Sequence, residues 1–213
     1  MQPVAFLRLM QIFDSQFPTG GFVHSGGLES YAQAGIDAAG LSELLRSFLS
    51  KGFGQLDLAA FTIVHGDPSR AVEIAGCLAA RKPIPTIRET SLRQGKRMQL
   101  LAQRLFGDKA PNLDPAYHPA VAGTISAAIG ADLEWALPAF AQSQVTGMLA
   151  AATRCMKLSP GQAQETLTSL QELISSVCAE VIENPEDHLW SCTPAMDIRC
   201  CQQLHLYTRL FQS

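Results

Sequence analysis

Apolar side chains recur at helical spacing along much of the chain. The clearest case is the segment 162–183, where apolar positions follow one another every three or four residues and so share one helix face. They are Leu167, Leu170, Ile174, Val177 and Val181. The same periodicity, interrupted at glycine and proline, predicts further helices. Their expected ranges are 3–13, 28–33, 42–65, 69–81, 86–106, 119–129, 132–158 and 197–211.

Residue usage points to the same fold class. Alanine (28) and leucine (26) far outnumber valine (8), and no run alternates apolar and polar residues between turn dipeptides. Asp67-Pro68 and Ser159-Pro160 each place a capping side chain before a proline, which is a typical helix start. We therefore expect an all-α, single-domain bundle of eight to ten helices over residues 1–213.

The low charge limits the classes of partner. The net charge is −3, and charged residues make up 16% of the chain, against about 25% in an average protein. Nucleic acid is excluded as a main partner, and the 47% apolar content suggests that some apolar surface meets another protein. The longest uncharged stretch, residues 135–153, contains Pro138 and Gly147 and is a poor membrane span. We expect no membrane contact.

Cysteine usage favours a reducing compartment. The six cysteines have no framework spacing, and Cys200 and Cys201 are adjacent, which suits neither a shared disulfide nor a metal shell. The apolar first residues lack a basic leader and a small-residue cleavage site. We expect a cytoplasmic protein with free thiols.

Known catalytic motifs are missing from the sequence. The glycine-rich segment 20–29 has Gly21 and Gly26 at P-loop spacing, but Gly27-Leu28 stands where lysine and serine or threonine must hold phosphate and Mg²⁺. No zinc-protease or paired-cysteine motif appears, and the five histidines are scattered. His24-Ser25 is most simply a polar turn before the helix that begins near Leu28. A hydrolase or metal-binding protein that uses His24 and Ser25 stays open as an alternative.

Basic residues concentrate in the middle of the chain. Half of all lysines and arginines fall in one stretch: Arg81, Lys82, Arg88, Arg93, Lys96, Arg97, Arg104 and Lys109. Four of them share a broad face of the predicted helix 86–106. The face is either simply solvated or docks an acidic partner.

The chain ends are unusually apolar. In the C-terminal tail, residues 197–213, the apolar positions Cys200, Leu204, Tyr207 and Phe211 have helical spacing. Such a tail either packs on its own domain or enters a groove of another subunit. The apolar start of the chain poses the same question.

A long motif near the N-terminus resembles a known family. Residues 14–29, which we call the signature segment, read D-S-Q-F-P-T-G-G-F-V-H-S-G-G-L-E and closely resemble the D-S-x-x-P-x-G-x-F-x-H-S-x-G-L-E motif of the urease accessory protein UreF family. Further segments resemble the family in the same order: Arg88-Glu89 with Ser91 and Gly95, His118-Pro119 with Gly123, and the tail from Asp197-Ile198 to Ser213. The chain departs from the family at Gln203, where histidine is common, and at Lys157 and Pro160.

The resemblance implies a non-enzymatic protein with no catalytic residue and no stably bound metal or cofactor. It implies a cytoplasmic homodimer that joins the accessory protein UreD (also called UreH) and the GTPase UreG on apo-urease. The complex would handle nickel and UreG would bind GTP, so that hydrolysis is coupled to assembly of the dinickel site.

The resemblance also suggests where partners bind. UreD contact is assigned to the apolar N-terminal segment, residues 1–27, and to the tail through Leu204, Tyr207, Arg209, Leu210, Phe211 and Ser213. UreG contact, or a dimer face, is assigned to Asp14, Ser15, Pro18, Gly20, Phe22, His24, Ser25, Glu29, Arg88, Glu89, Arg93 and Arg97. A sharper version has Arg88, Arg93 or Arg97 supply an arginine finger to UreG. A helical adaptor unrelated to urease is the remaining alternative.

Overall fold

The computed structural model describes residues 1–21, 24–107, 110–207 and 209–211, and within these ranges the chain forms ten α-helices and no strand. They are α1 (Pro3–Ile12), α2 (Leu28–Gln33), α3 (Ala38–Lys51), α4 (Phe53–Gly66), α5 (Ala71–Arg81), α6 (Pro85–Phe106), α7 (His118–Ala128), α8 (Leu133–Cys155), α9 (Pro160–Glu183) and α10 (Pro194–Gln203). The predicted all-α bundle is confirmed. Seven of the nine predicted ranges agree with a helix to within three residues at each end.

The core forms around helices that are mostly apolar and are buried on every side. In α4 every residue from Phe53 to Val64 is buried, and α7 is buried from His118 to Ser126. A helix with apolar side chains all round must lie inside the bundle. Phe61 of α4 stacks on Phe140 of α8 with ring centroids 5.0 Å apart, and Phe13 packs on Phe140 at 5.6 Å. The amphipathic helices surround this centre.

Local capping fixes the helix starts that the sequence indicates. The Ser159 hydroxyl accepts from the Gln162 backbone N–H, and the Gln162 side chain accepts from the Ser159 N–H, which forms a complete capping box at α9. Asp67 accepts from the N–H of Ser69 at a short 3₁₀ turn, Pro68–Arg70, that leads into α5. Both predicted starts are confirmed.

The prediction of one helix over 42–65 is wrong. Two helices, α3 and α4, occupy the region and meet at Gly52, which has φ −119° and ψ −111° and ends one helix while it begins the next. A Cβ on Gly54 would lie 1.6 Å from the Leu49 carbonyl oxygen, so the sharp corner depends on glycine. The apolar periodicity continues through the corner because both helices face the same core.

The prediction of a helix over 197–211 is also wrong. Helix α10 begins earlier, at Pro194, and ends at Gln203, after which the chain turns at Leu204 and His205. Cys200 and Phe211 are buried, whereas Leu204 and Tyr207 are exposed, so the four positions do not form one stripe. The apolar spacing continues past the end of the helix, although only Cys200 and Phe211 of the four face the core. The spacing alone therefore does not show where the helix ends.

Two glycines allow neighbouring backbones to approach closely. A Cβ on Gly95 of α6 would lie 2.0 Å from the Ala116 carbonyl oxygen, and one on Gly123 of α7 would lie 2.5 Å from the Phe61 carbonyl oxygen. Ser91 lies one turn before Gly95 and accepts a hydrogen bond from the His118 N–H at 3.3 Å. The middle motifs that resemble the UreF family are therefore packing contacts between helices.

Substitution of Gly95 tests this contact. Gly95→Ala is expected to lower the free energy of unfolding by about 2 kcal/mol, because the added methyl group would have to displace backbone at Ala116. Gly76→Ala is the matched control, since Gly76 lies within α5 with no atom within 4 Å of the added Cβ. The control should gain about 0.5 to 1 kcal/mol from helix propensity. Denaturant titration measures both; equal stability of the two variants would contradict the contact.

Candidate functional site

The signature segment and the end of α10 are joined by one side chain. Gln203, 1% exposed, accepts at Oε1 from the Ser25 hydroxyl and from the Gly27 N–H, each at 3.0 Å. Its Nε2 donates to Glu29 Oε2 at 3.3 Å. Gly27 has φ +89°, and a Cβ there would lie 3.0 Å from Cys200 Sγ, so glycine lets the segment lie directly on α10. The sequence alone does not explain a glutamine at this position. In the structure its amide accepts two hydrogen bonds and donates one, and so links three partners.

Glu29 connects the same segment to the last described residues. Its carboxylate is buried and accepts from the backbone N–H groups of Leu210 and Phe211, the latter at 3.3 Å. The neighbouring Ser30 hydroxyl donates to the Arg199 carbonyl at 3.0 Å. Phe211 is buried, and the Arg154 guanidinium lies 4.6 Å from the centre of its ring. The tail is thus held from two sides.

Most of the other described residues beyond Gln203 are exposed. Leu204 is 48%, Leu210 63% and Tyr207 fully exposed, and Arg209 is exposed as well. Large apolar side chains in this position gain free energy when a partner removes them from water. The predicted tail residue Ser213 lies outside the described residues. The tail therefore packs in cis through Phe211, and Leu204, Tyr207 and Leu210 remain exposed.

The signature segment also lies against the basic helix α6. Gly20 has φ +80°, and a Cβ there would lie 1.8 Å from Arg97 Nη1, so the guanidinium packs on bare backbone. His24 Nδ1 lies 3.3 Å from the Thr90 hydroxyl. Burial, and then the charges of Arg93 and Arg97, lower the pKa of His24 to about 4. At neutral pH the ring is uncharged, and the positive charge of this face comes from arginine and lysine.

The other predicted residues of this face are placed in different ways. Arg88 is half-buried and donates to the Lys82 carbonyl at 3.2 Å, whereas Arg93 pairs with Glu89 at 3.0 Å, four residues before it, in an exposed ion pair. Asp14, Ser15 and Pro18 are exposed, and the Asp14 carboxylate accepts from the Gln16 N–H at 2.6 Å. Phe22 lies outside the described residues, as does Lys109.

Ser25 and Glu29 are both buried and hold structure together rather than lie at the surface. The Ser25 hydroxyl hydrogen is donated to Gln203, so it is not available to an activating base at His24. Among the described residues no group of three or more histidine, cysteine, aspartate or glutamate side chains is placed to hold a metal ion. No helix within those residues is both long and apolar enough to cross a membrane.

Helix α1 presents apolar side chains on two sides. Ala5, Leu9 and Ile12 are buried, yet Val4 and Leu7 are 57% and 63% exposed. Phe6 and Met10 are also exposed and line a groove of about 1310 Å³ together with Trp135, which is 60% exposed at the start of α8. The groove continues past His24 and Ser25 to Cys200 and Gln203. It connects the apolar N-terminus to the signature segment and to α10.

The inner wall of the groove carries a buried ion pair. Lys82 Nζ donates to both carboxylate oxygens of Asp57, at 2.9 and 2.7 Å. His118, also in the wall, is fully enclosed, and burial followed by the charge of Lys82 lowers its pKa to about 4. The wall is therefore polar but close to electrically neutral.

The cysteines agree with the expectation of free thiols. All six lie in described ranges and none is paired. Burial raises the pKa of Cys178 and of Cys200 to about 12, so both stay protonated at neutral pH.

Two functional candidates are not predicted by the sequence pattern. Trp135 was not singled out, although it stands beside the buried positions Ala136, Leu137 and Phe140 and out of their register. A large aromatic residue in a solvent-facing register is the signal that would have found it. Gln203 was noted only as a departure from the family, and no local pattern shows that a single amide joins three partners.

Comparison with known proteins agrees with these residue patterns. A family model described as UreF matches residues 36–171. The chain is 32% identical to the urease accessory protein UreF of Trichodesmium erythraeum (strain IMS101), over 96% of this chain and 95% of that protein. It is 28% identical to the protein of the same name from Bradyrhizobium sp. (strain BTAi1 / ATCC BAA-1182), over 98% and 92%. Another relative of that name, from Paenarthrobacter aurescens (strain TC1), is 26% identical over 97% of both chains. The chain belongs to the UreF family of urease accessory proteins.

Proposed function

We propose that this protein is an adaptor in urease maturation, which binds UreD (UreH) on one surface and the GTPase UreG on another while the complex sits on apo-urease. The observation that carries the proposal is the tail, where exposed Leu204, Tyr207 and Leu210 surround a buried anchor, Phe211. Family membership supports the role in urease maturation.

The UreD surface consists of the tail and the apolar N-terminal segment. Tyrosine and leucine have few rotatable side-chain bonds, so they bury a large apolar area on binding at a small cost in conformational freedom. Helix α1 adds exposed Phe6, Leu7 and Met10. A groove runs from Phe6 and Met10 of α1 to Cys200 and Gln203 of α10, the helix that leads into the exposed end of the tail.

The UreG surface, or a face between two copies of the chain, consists of the signature segment and α6. Arg93, Lys96 and Arg97 are exposed on α6 and give this face a positive charge, and Arg97 packs on the backbone of Gly20. A positive face recruits a partner with an acidic patch quickly and in a salt-dependent way.

The adaptor works by positioning and not by chemistry of its own. As a homodimer in the cytoplasm it would hold UreD and UreG in one orientation, so that nickel released on GTP hydrolysis does not enter bulk water. Nickel is handled by the complex and GTP is bound by UreG, and this chain holds neither stably. A hydrolase that uses His24 and Ser25 is disfavoured by the hydrogen bond from Ser25 to Gln203.

Substitution of exposed residues tests whether the tail binds UreD, because such changes leave the fold intact. Tyr207→Ala combined with Leu210→Ala is expected to weaken UreD binding by about tenfold or more, since the loss of anchors at the centre of an interface costs roughly 2 kcal/mol. Co-purification with tagged UreD and the mass of the complexes measure the effect. The wild-type chain should give a dimer of heterodimers.

Val72→Ala is the matched control, because Val72 is 72% exposed on α5 and should not affect UreD binding. Wild-type affinity in the double variant would remove the tail from the docking surface. The same measurement on Phe6→Ser and Leu7→Ser would then test α1.

The basic face is tested through UreG. Arg93→Ala combined with Arg97→Ala is expected to weaken UreG binding by about tenfold at low salt and to reduce its salt dependence, because two charges of the face are lost. Arg81→Ala, at the exposed end of α5, is the control.

If one of these arginines acts as an arginine finger, its loss will also change GTP hydrolysis by UreG. One of Arg88→Ala, Arg93→Ala or Arg97→Ala would then lower stimulated GTP hydrolysis by a factor of about 1000. Unchanged hydrolysis in all three variants would eliminate the finger, and unchanged UreG affinity in the double variant would eliminate the basic face as the docking surface.

A further inference from the structure

We propose that Lys82 is a positioning residue for UreG docking: paired with Asp57 inside the protein, it fixes the corner between α5 and α6 and so holds the first turns of α6 in place. The inference rests on the proposed function, because α6 belongs to the surface assigned to UreG. Lys82 itself is only 8% exposed and acts through α6.

Lys82 belongs to the basic stretch in the middle of the chain, yet its ammonium group lies inside the fold. Nζ donates to both carboxylate oxygens of Asp57, at 2.9 and 2.7 Å, and the neighbours of Asp57 on α4, Leu56 and Leu58, are fully enclosed. Two charged side chains lose their hydration when they are buried together, and well-packed apolar side chains of similar size are often as stable. Stability of the core alone therefore does not account for this ion pair.

Lys82 connects three helices at a short corner. Its N–H donates to the Leu78 carbonyl at 3.0 Å where α5 ends, and α6 begins at Pro85. Its own carbonyl accepts from Arg88 Nη1, in the first turn of α6, at 3.2 Å. Its side chain reaches Asp57 of α4. The direction in which the chain leaves α5 and enters α6 is thus fixed by contacts of both the backbone and the side chain of one residue.

The first turns of α6 have no buried side chain to hold them. Residues 85–90 are exposed or half-buried, whereas the helix from Ser91 onward packs through Ser91, Gly95, Met98, Gln99 and Ala102. A helix end without packed side chains opens locally unless specific hydrogen bonds hold it. The corner at Lys82 therefore supplies the order that packing does not supply.

These turns belong to the surface assigned to UreG. The Thr90 hydroxyl lies 3.3 Å from Nδ1 of His24 in the signature segment, and Glu89 pairs with Arg93 at 3.0 Å. If residues 85–90 became mobile, both contacts would be lost for part of the time, and the signature segment and α6 would no longer present one surface. A surface that is arranged before its partner arrives loses less conformational freedom on binding.

Hydrogen exchange of the full chain tests the corner without any partner. Asp57→Leu combined with Lys82→Met replaces the ion pair by apolar side chains of similar size, so the chain should unfold at the same or a higher denaturant concentration. The amides of residues 88–94, whose helical acceptors lie in the first turns, should nevertheless exchange about tenfold faster. Glu43→Gln combined with Arg46→Gln is the matched control, because it removes an exposed ion pair of α3 and should leave this exchange rate unchanged.

A second variant serves if the double variant does not fold. Asp57→Asn keeps the size of the side chain and one acceptor oxygen but no longer neutralises Lys82, so residues 88–94 should again exchange faster. Exchange of these residues at the wild-type rate in the double variant, or in Asp57→Asn where the double variant does not fold, would overturn the inference.

Affinity for UreG separates the positioning role from stability and from the proposed function. If the wild-type chain binds UreG and the double variant binds about fivefold or more weakly at unchanged stability, the positioning role stands, because an ion pair that served only stability would leave affinity unchanged. If both bind UreG equally although residues 88–94 exchange faster, the corner does not serve docking and the inference fails. If the wild-type chain does not bind UreG at all, the proposed UreG surface fails, and the inference falls with it.

Discussion

One buried carboxylate joins the N-terminal part of this chain to its C-terminal tail. Glu29 lies at the start of α2, and its hydrogen-bond partners Gln203, Leu210 and Phe211 come from the last eleven residues. In a low-dielectric interior such hydrogen bonds are strong, and loss of the contact would leave buried polar groups without partners. This contact brings α2, α10 and the tail together at one place in the fold.

The frame behind this contact is rigid because helix backbones touch. Gly95 brings α6 onto residues 116–118, and Gly123 brings α7 onto α4. Since α6 also carries Arg93 and Arg97, the same close packing fixes where the basic face meets the signature segment. Motifs that read as functional in the sequence therefore act in two ways: some residues form the surface, and others hold the helices that carry it.

The low charge of the chain matches the apolar surfaces that the fold leaves exposed. A chain with 16% charged residues has exposed apolar groups on α1, at Trp135 and along the tail, and a groove connects these regions. Inside the groove, Asp57 and Lys82 neutralise each other, and His118 is uncharged at neutral pH. Surfaces of this kind suit a protein whose work is to hold other proteins, as expected for a member of an accessory-protein family.

The sequence alone determined the helical class, most helix positions and the family. Periodic apolar residues, capping pairs such as Ser159-Pro160 and the signature segment are local patterns, and local patterns are readable without coordinates. These local patterns do not predict structure that depends on a contact between residues far apart in the sequence. The break at Gly52 and the end of α10 at Gln203 leave the apolar spacing nearly intact. The periodicity therefore predicts a continuous helix across each of these points.

Only the tertiary structure decided how the candidate residues are used. It showed that Ser25 and Glu29 are buried, that Arg97 packs on Gly20, and that Trp135 joins α1 in one groove. The hydrogen bond from the Phe211 N–H to the Glu29 carboxylate spans 182 positions of the sequence. A hydrogen bond of that span depends on where every intervening helix packs, and no spacing within either segment encodes it.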